Sequence, residues 1–114
     1  MTKKYTGYTL VEKNLLDAFY GLKIQNATQE EAEEEINWIL AGMGSAYGYV
    51  TGKLIEQGVL NVLLNESMTR TYYIEINSDD YITEKGMEYC RNKFGKDINI
   101  RKLDRPQITP FSSL

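Results

Sequence analysis

The sequence predicts an α+β domain in which three helices precede a two-stranded hairpin and a further helix follows it. Apolar residues recur every three or four positions in three segments before residue 58, as they do on one face of a helix. Residues 70–76 alternate, with Tyr72, Ile74 and Ile76 on one face, which is typical of a half-buried strand. Helical spacing returns over residues 83–94. A chain of 114 residues suits one domain of this kind.

The first two helices are predicted over residues 9–22 and from Thr28 to the glycines that flank Met43. Thr28 and Glu31 have the spacing of a capping box, in which each side chain binds the other residue's backbone amide. The expected buried positions lie three and four apart; they are Val11, Leu15, Ala18, Phe19, Leu22, Ala32, Ile36, Ile39 and Leu40.

The third helix is predicted over about residues 46–57, with Ser45 as its cap and Gly58 at its C-terminal end. Its inward residues are expected to be Tyr47, Val50 and Leu54. Gly48 and Gly52 each weaken a helix by about 1 kcal/mol relative to alanine. Two glycines in one short helix therefore suggest that another group approaches it closely.

The hairpin is predicted from strands at 60–64 and 70–76, joined by a polar turn at 65–69. The last helix, 83–94, is closed by Gly95, and its buried positions are expected to be Met87, Cys90 and Phe94. Beyond it, Ile98 and Ile100 alternate with polar residues like an edge strand, before Pro106 and Pro110 interrupt regular structure.

Composition excludes several classes of site. The chain has no histidine and one cysteine, Cys90, so an internal disulfide, a histidine-based triad and the usual zinc sites are ruled out. No catalytic constellation, phosphate loop or cofactor motif stands out, so we expect neither an enzyme nor a cofactor or metal site. No apolar run approaches the ~20 residues of a membrane span, and the first residues do not form a signal peptide. We therefore expect a cytoplasmic protein without a membrane partner.

Charge is unevenly distributed along the chain. The net charge is −3, but residues 85–105 carry seven basic and three acidic groups. A phosphate-facing surface would be expected to draw on that later stretch. The five glutamates at 30, 31, 33, 34 and 35 most simply form a solvated helix face.

Two segments resemble the winged helix-turn-helix regulators of the MarR and PadR type. The first, residues 54–60, has a leucine, a glycine four residues later and two apolar residues: Leu54, Gly58, Val59 and Leu60. The second, residues 81–86, has an aromatic, an aliphatic and Thr-x-x-Gly: Tyr81, Ile82, Thr83 and Gly86. The resemblance covers about residues 9–95, which leaves an N-terminal arm at 1–8 and a basic C-terminal tail at 96–114.

This resemblance implies a sequence-specific DNA-binding transcription regulator that acts as a homodimer on double-stranded DNA. The recognition helix would cover 45–57 and the wing 60–76. DNA contacts would come from the helix through Ser45, Ala46, Tyr49, Thr51, Lys53 and Gln57. The wing would add Asn65, Ser67, Thr69 and Arg70. The tail from Lys96 and the surface around Trp38 are the candidate dimer contacts, although Trp38 also suits the core.

The acidity of the chain favours a competing interpretation. The expected recognition face has one cation, Lys53, whereas phosphate neutralisation supplies most non-specific affinity for DNA. A winged-helix protein of this kind could instead bind another protein, as small acidic inhibitors and adaptors of mobile elements do. In either case Cys90 is expected to be a buried structural thiol, and Tyr72 and Tyr81 to belong to the core.

Overall fold

The computed structural model describes residues 5–103, except for the side chain of Met43. Over these residues the chain forms an α+β structure with four α-helices, one two-stranded antiparallel sheet and a short 3₁₀ turn. The elements are α1 (Gly7–Ile24), α2 (Gln29–Met43), α3 (Ser45–Glu56), β1 (Leu63–Glu66), β2 (Tyr72–Glu75), α4 (Glu84–Phe94) and the 3₁₀ turn (Gly95–Asp97). This order is compatible with the predicted winged-helix layout. No helix in the described part of the chain is long and apolar enough to cross a membrane.

Helix α1 lies at the centre of the packing, in contact with α2, α3 and α4. Its buried side chains include Leu15, Leu16, Phe19 and Leu22, which form a continuous apolar stripe. The helix begins at Gly7, two residues earlier than predicted, so part of the expected arm is helical.

Helix α2 begins at the predicted capping box. The Glu31 amide donates to Thr28 Oγ1 at 3.1 Å, and the Thr28 amide donates to Glu31 Oε1 at 2.9 Å. Ala32, Ile36 and Leu40 are buried as expected. Trp38 is 79% exposed, which excludes the core alternative for this side chain.

Helix α3 follows α2 after a single residue, Gly44. Ser45 is not the cap that the sequence predicted: it is the first helical residue, and Gly44 occupies the cap position with φ +73°. That backbone conformation favours glycine, which explains why a glycine rather than a serine separates the two helices. At the other end Gly58 has φ +76°, and the Val59 amide donates to Leu54 O at 2.9 Å, as expected for a glycine-terminated helix.

The hairpin is shorter than predicted. β1 and β2 pair antiparallel with Leu64 opposite Ile74 and Asn65 opposite Tyr73. Residue 60 is not part of this ladder, because Leu60 instead forms an isolated bridge with Ile82. The predicted alternation is confirmed for Ile74 and Ile76, which are buried, and for Tyr73 and Glu75, which are exposed, whereas Tyr72 is only half-buried rather than in the core.

The free edge of β2 is covered by side chains of α2. Asn37 Nδ2 donates to Ile74 O at 3.0 Å, and the Ile74 amide donates to Asn37 Oδ1 at 2.7 Å. The Ile76 amide donates to Glu33 Oε1 at 2.8 Å. The α2 glutamates are therefore not a uniformly solvated face: Glu33 and the cap residue Glu31 have structural partners, and Glu30 and Glu34 are exposed.

The two sequence segments that carry the family resemblance meet in space. Leu60 forms an isolated bridge with Ile82, and Thr83 Oγ1 donates to Gly58 O at 2.6 Å. Thr83 also caps α4 by accepting from the Gly86 amide at 2.9 Å. A Cβ atom on Gly86 would overlap the carbonyl oxygen of Val59, so the Thr-x-x-Gly pattern is what lets α4 approach the end of α3.

Residues 98–103 form no strand, which contradicts the edge strand predicted at 98–100, and Ile100 lies against Gly21 of α1. The side chain of Gln25 holds this segment. Gln25 Nε2 donates to Arg101 O at 2.9 Å, and the Leu103 amide donates to Gln25 Oε1 at 2.7 Å. Side-chain bonding to Gln25 replaces the partner strand that an edge strand needs. The rest of the predicted basic tail, 104–114, lies outside the described residues.

Candidate nucleic-acid interface

The surface predicted to bind DNA is a row of side chains on α3. Ser45, Tyr49, Lys53 and Gln57 follow one another at four-residue intervals, and all four are exposed. The opposite side of the helix is fixed in the core by Tyr47, Val50 and Leu54. A helix of 12 residues is about 18 Å long, so the row presents a continuous ridge along the helix. Ala46, beside the row, is half-buried.

Thr51 does not belong to this surface, contrary to the sequence prediction. It is 0% exposed, and its Oγ1 donates to Tyr47 O at 2.6 Å. Thr51 is four residues after Tyr47 and three before Leu54, which places it on the same face as these core residues.

Tyr8 joins the N-terminal half of the row, and sequence reasoning missed it. Its ring centroid lies 5.4 Å from that of Tyr49, and Lys53 Nζ lies 5.7 Å from the Tyr49 centroid. The two tyrosines remain 63% and 54% exposed. Tyr8 is three residues before Val11, so extending the apolar stripe of α1 backwards would have located it.

The hairpin is fixed against α3 by its inward side chains. A Cβ atom on Gly48 would overlap the ring of Tyr72, whereas one on Gly52 would make an ordinary contact with Leu64 Cδ2 at 3.7 Å. The close approach predicted from the two glycines is therefore present at Gly48. Because Tyr72 pairs with Glu66 at the turn end of the ladder, the hairpin turn lies towards the N-terminal half of α3.

The hairpin turn presents one cation. Arg70 is exposed and has φ +61° in the tight turn closed by its amide, which donates to Ser67 O at 2.9 Å. The predicted hydroxyl groups bond within the turn: Ser67 Oγ lies 2.9 Å from Thr69 Oγ1 and accepts from the Thr71 amide at 3.1 Å. Asn65 Nδ2 donates to Glu75 Oε1 at 2.9 Å. Of the four wing residues predicted to contact DNA, Arg70 is therefore the one most available to a partner.

A second cation near α3 is Lys85, which the sequence analysis did not single out. The exposed Lys85 side chain lies beside Gly58, with Nζ 3.8 Å from the position that a Cβ atom would take there. The hydrogen bond between Thr83 and Gly58 brings Lys85 to this end of α3. Because Lys85 lies within the Thr-x-x-Gly segment, that motif could have indicated from the sequence that Lys85 lies near the end of α3. Lys53 thus lies in the α3 row, Arg70 on the hairpin turn and Lys85 beside the C-terminal end of α3. The exposed Glu56 and Glu66 lie on α3 and β1.

No family model, curated protein or solved structure matches this chain. Within residues 5–103 there is also no group of three or more histidine, cysteine, aspartate or glutamate side chains that could hold a metal ion.

Proposed function

We propose that this chain is a winged-helix protein that binds double-stranded DNA, with α3 as the recognition helix and the β1–β2 hairpin as the wing. The observation that supports this most is the exposed row of Ser45, Tyr49, Lys53 and Gln57 on a helix whose other side is fixed in the core. A major groove about 12 Å wide admits such a helix.

The side chains of the row suit both base edges and phosphates. Lys53 can donate to the O6 and N7 atoms of guanine, and Gln57 can form two hydrogen bonds with adenine. Arg70 on the wing and Lys85 beside Gly58 would contact the phosphate backbone on either side of the helix. The first turn of α1, beside Tyr49 through Tyr8, has no acidic residue that would repel a phosphate.

We propose further that the protein acts as a homodimeric, sequence-specific transcription regulator. Three cations around one α3 provide modest phosphate neutralisation, and a two-fold pair of domains on a palindromic site would double it. Trp38, 79% exposed on α2, is the side chain best suited to a dimer contact. Sedimentation of the wild type and of Trp38→Ala at micromolar concentration tests this: the wild type should be dimeric and the variant shifted towards monomer, and a monomeric wild type would contradict the proposal.

Selection of bound duplexes from random DNA, followed by fluorescence anisotropy, tests DNA binding. Lys53→Gln should weaken binding to the selected site by about 5-fold or more, because a specific base contact is worth about 1–3 kcal/mol. Arg91→Gln is the matched control, since Arg91 is exposed on α4 and its loss changes net charge equally. We expect this control to remain within about twofold of the wild type, since a surface substitution away from the interface changes little. Equal effects of the two substitutions would argue against α3 as the interface.

A second candidate function is binding to another protein through the same side of the domain. It is favoured by the net charge of −3 and by apolar side chains that remain exposed on the hairpin, Leu63, Met68 and Tyr73. Two results together would favour a protein partner over DNA. The selection would enrich no sequence, and the biological effect of the protein would survive combined Lys53→Glu and Arg70→Glu substitution.

A further inference from the structure

A cleft of about 450 Å³ lies between α1, α2, α3 and the segment 98–103 that packs along α1. This volume is within the range of small-molecule sites. Its wall is partly apolar, with Leu22 of α1 and Ile39 of α2, and partly charged. The arrangement of the charged groups indicates what kind of molecule would bind there.

Carboxylates line the helical side of the cleft. Asp17 is buried, and its Oδ2 accepts from Lys13 Nζ at 2.7 Å. Its Oδ1 is also buried and has no hydrogen-bond partner within the described part of the chain. A buried acceptor without a partner is unfavourable, so a donor that reached it would be bound favourably. Glu35 of α2 adds a second, half-buried carboxylate.

Cations line the opposite side, on the segment that Gln25 holds against α1. Arg101 and Lys102 are exposed on the cleft wall, and neither forms an ion pair with another residue among 5–103. The Gln25 contacts to Arg101 O and to the Leu103 amide fix the backbone that carries these two cations. Their positive charge thus faces the cleft from a defined position, although their side chains remain free to adjust.

We propose that this cleft binds a small zwitterion with an apolar body, such as an ω-amino acid. An ammonium group would donate to Asp17 and Glu35, and a carboxylate would accept from Arg101 and Lys102. The methylene groups between the two charges would contact Leu22 and Ile39. A molecule with one charged end alone would leave one wall of the cleft without its partner.

The cleft also reaches the proposed recognition helix. Tyr47 of α3 lines it, and the Tyr47 hydroxyl accepts from Asn14 Nδ2 at 3.3 Å. A bound zwitterion that contacts Tyr47 would change the position or rigidity of α3 and thus the affinity for DNA. This second step rests on the proposed DNA-binding function, whereas binding of the zwitterion does not.

Isothermal titration of the free protein with three probes of equal chain length tests the site: 6-aminohexanoate, hexylamine and hexanoate. We expect saturable binding of 6-aminohexanoate and at least tenfold weaker binding of the other two. Arg101→Gln should weaken the binding of 6-aminohexanoate at least tenfold without unfolding the segment 98–103, because Arg101 is exposed. Arg91→Gln should leave this affinity unchanged. Asp17→Asn, followed by circular dichroism to confirm folding, should weaken 6-aminohexanoate and hexylamine but not hexanoate.

The proposal is overturned if titration with 6-aminohexanoate gives no saturable heat up to about 10 mM. A dissociation constant above that concentration corresponds to a binding free energy weaker than about 3 kcal/mol. It is also overturned if Arg101→Gln and Arg91→Gln bind the zwitterion equally. The titration uses no DNA, so a failure here is distinguishable from a failure of the DNA-binding proposal. If both bindings are present, repeating the anisotropy measurement with saturating 6-aminohexanoate should shift the DNA affinity, and an unchanged affinity would contradict the coupling alone.

Discussion

Gly48 of α3 lies directly beneath the aromatic ring of Tyr72 on β2, with no room for a Cβ atom between them. Gly52, one helical turn later, has only the ordinary contact with Leu64. The two glycines look alike in the sequence, yet they differ in what the hairpin requires of them. Gly48 lets the proposed wing approach α3, whereas Gly52 carries the conformational cost of a helical glycine without a comparable steric reason.

Alanine substitution should separate these roles. Gly48→Ala should destabilise the domain by about 1–3 kcal/mol, because the Tyr72 ring must be displaced. Gly52→Ala should stabilise it by up to about 1 kcal/mol, because alanine favours the helix and fits the available space. Urea unfolding followed by circular dichroism measures both. Changes of the same sign and size would contradict the packing of β2 on α3.

Asn37 should be needed for the pairing of α2 with the hairpin. Asn37→Ala removes both hydrogen bonds to the Ile74 backbone and leaves a half-buried amide and carbonyl without partners, which should cost about 1–3 kcal/mol. Hydrogen exchange at the Ile74 amide should accelerate in parallel. Glu34→Ala, at an exposed α2 position, is the control and should change stability by less than about 0.5 kcal/mol. Unchanged Ile74 exchange in Asn37→Ala would show that this contact does not protect the strand.

Cys90 should be unreactive in the native protein. The thiol is buried, and burial raises its pKa to about 12, with the Asp17 and Glu12 carboxylates adding to the effect. At pH 8 almost no thiolate is present, and thiolate is the nucleophile. Alkylation by iodoacetamide at pH 8 should be orders of magnitude slower in the native protein than in urea. Comparable rates in the two states would contradict the burial of Cys90.

Alkaline solution should destabilise the fold through Tyr81. Burial raises the pKa of this tyrosine to about 12, with Asp79 and Glu31 adding to the shift, whereas the unfolded chain keeps a value of 10.0. The neutral phenol is favoured in the folded state, so its stabilising contribution is complete below pH 10 and is lost as the pH rises towards 12. Urea unfolding at pH 8, 10 and 11 should show this loss.

Tyr81→Phe provides the comparison, since it removes this phenol and leaves the other tyrosines in place. This variant lacks the hydroxyl that donates to Ala27 O at 3.2 Å, so it should be less stable at pH 8 but should lose less stability between pH 8 and pH 11. Parallel pH profiles for the two proteins would assign the alkaline transition to other groups.

The elements that the sequence predicts well are those fixed by local chemistry. The Thr28–Glu31 capping box forms as expected because both partners lie in the same helical turn. The inward face of α3 follows from the spacing of Tyr47, Val50 and Leu54. Gly58 ends that helix in the left-handed conformation that glycine favours.

The differences arise where tertiary contacts decide. Ser45 has a side chain suited to capping, but the connection between α2 and α3 requires a positive φ, which Gly44 supplies. Ile98 and Ile100 alternate with polar residues as in a strand, yet this segment forms no strand, and Gln25 binds the backbone of Arg101 and Leu103 just after it. In the sequence Glu33 resembles the other glutamates of α2, but in the fold it accepts from the amide of Ile76, the residue after β2. Thr51 differs from these cases. The prediction that it lies on the DNA-binding surface was wrong, although helical spacing alone was sufficient to place it in the core.

The salt dependence of binding to a random-sequence DNA duplex tests the proposed DNA interface most directly. If Lys53, Arg70 and Lys85 each neutralise one phosphate per domain, a plot of log affinity against log salt should have a slope of about −3 for one domain and about −5 for a dimer. Arg70→Gln and Lys85→Gln should each make the slope shallower by about 1 per domain, whereas Arg91→Gln should not. Absence of any binding at about 50 mM salt, or a slope that none of these substitutions changes, would contradict DNA binding through α3 and the hairpin.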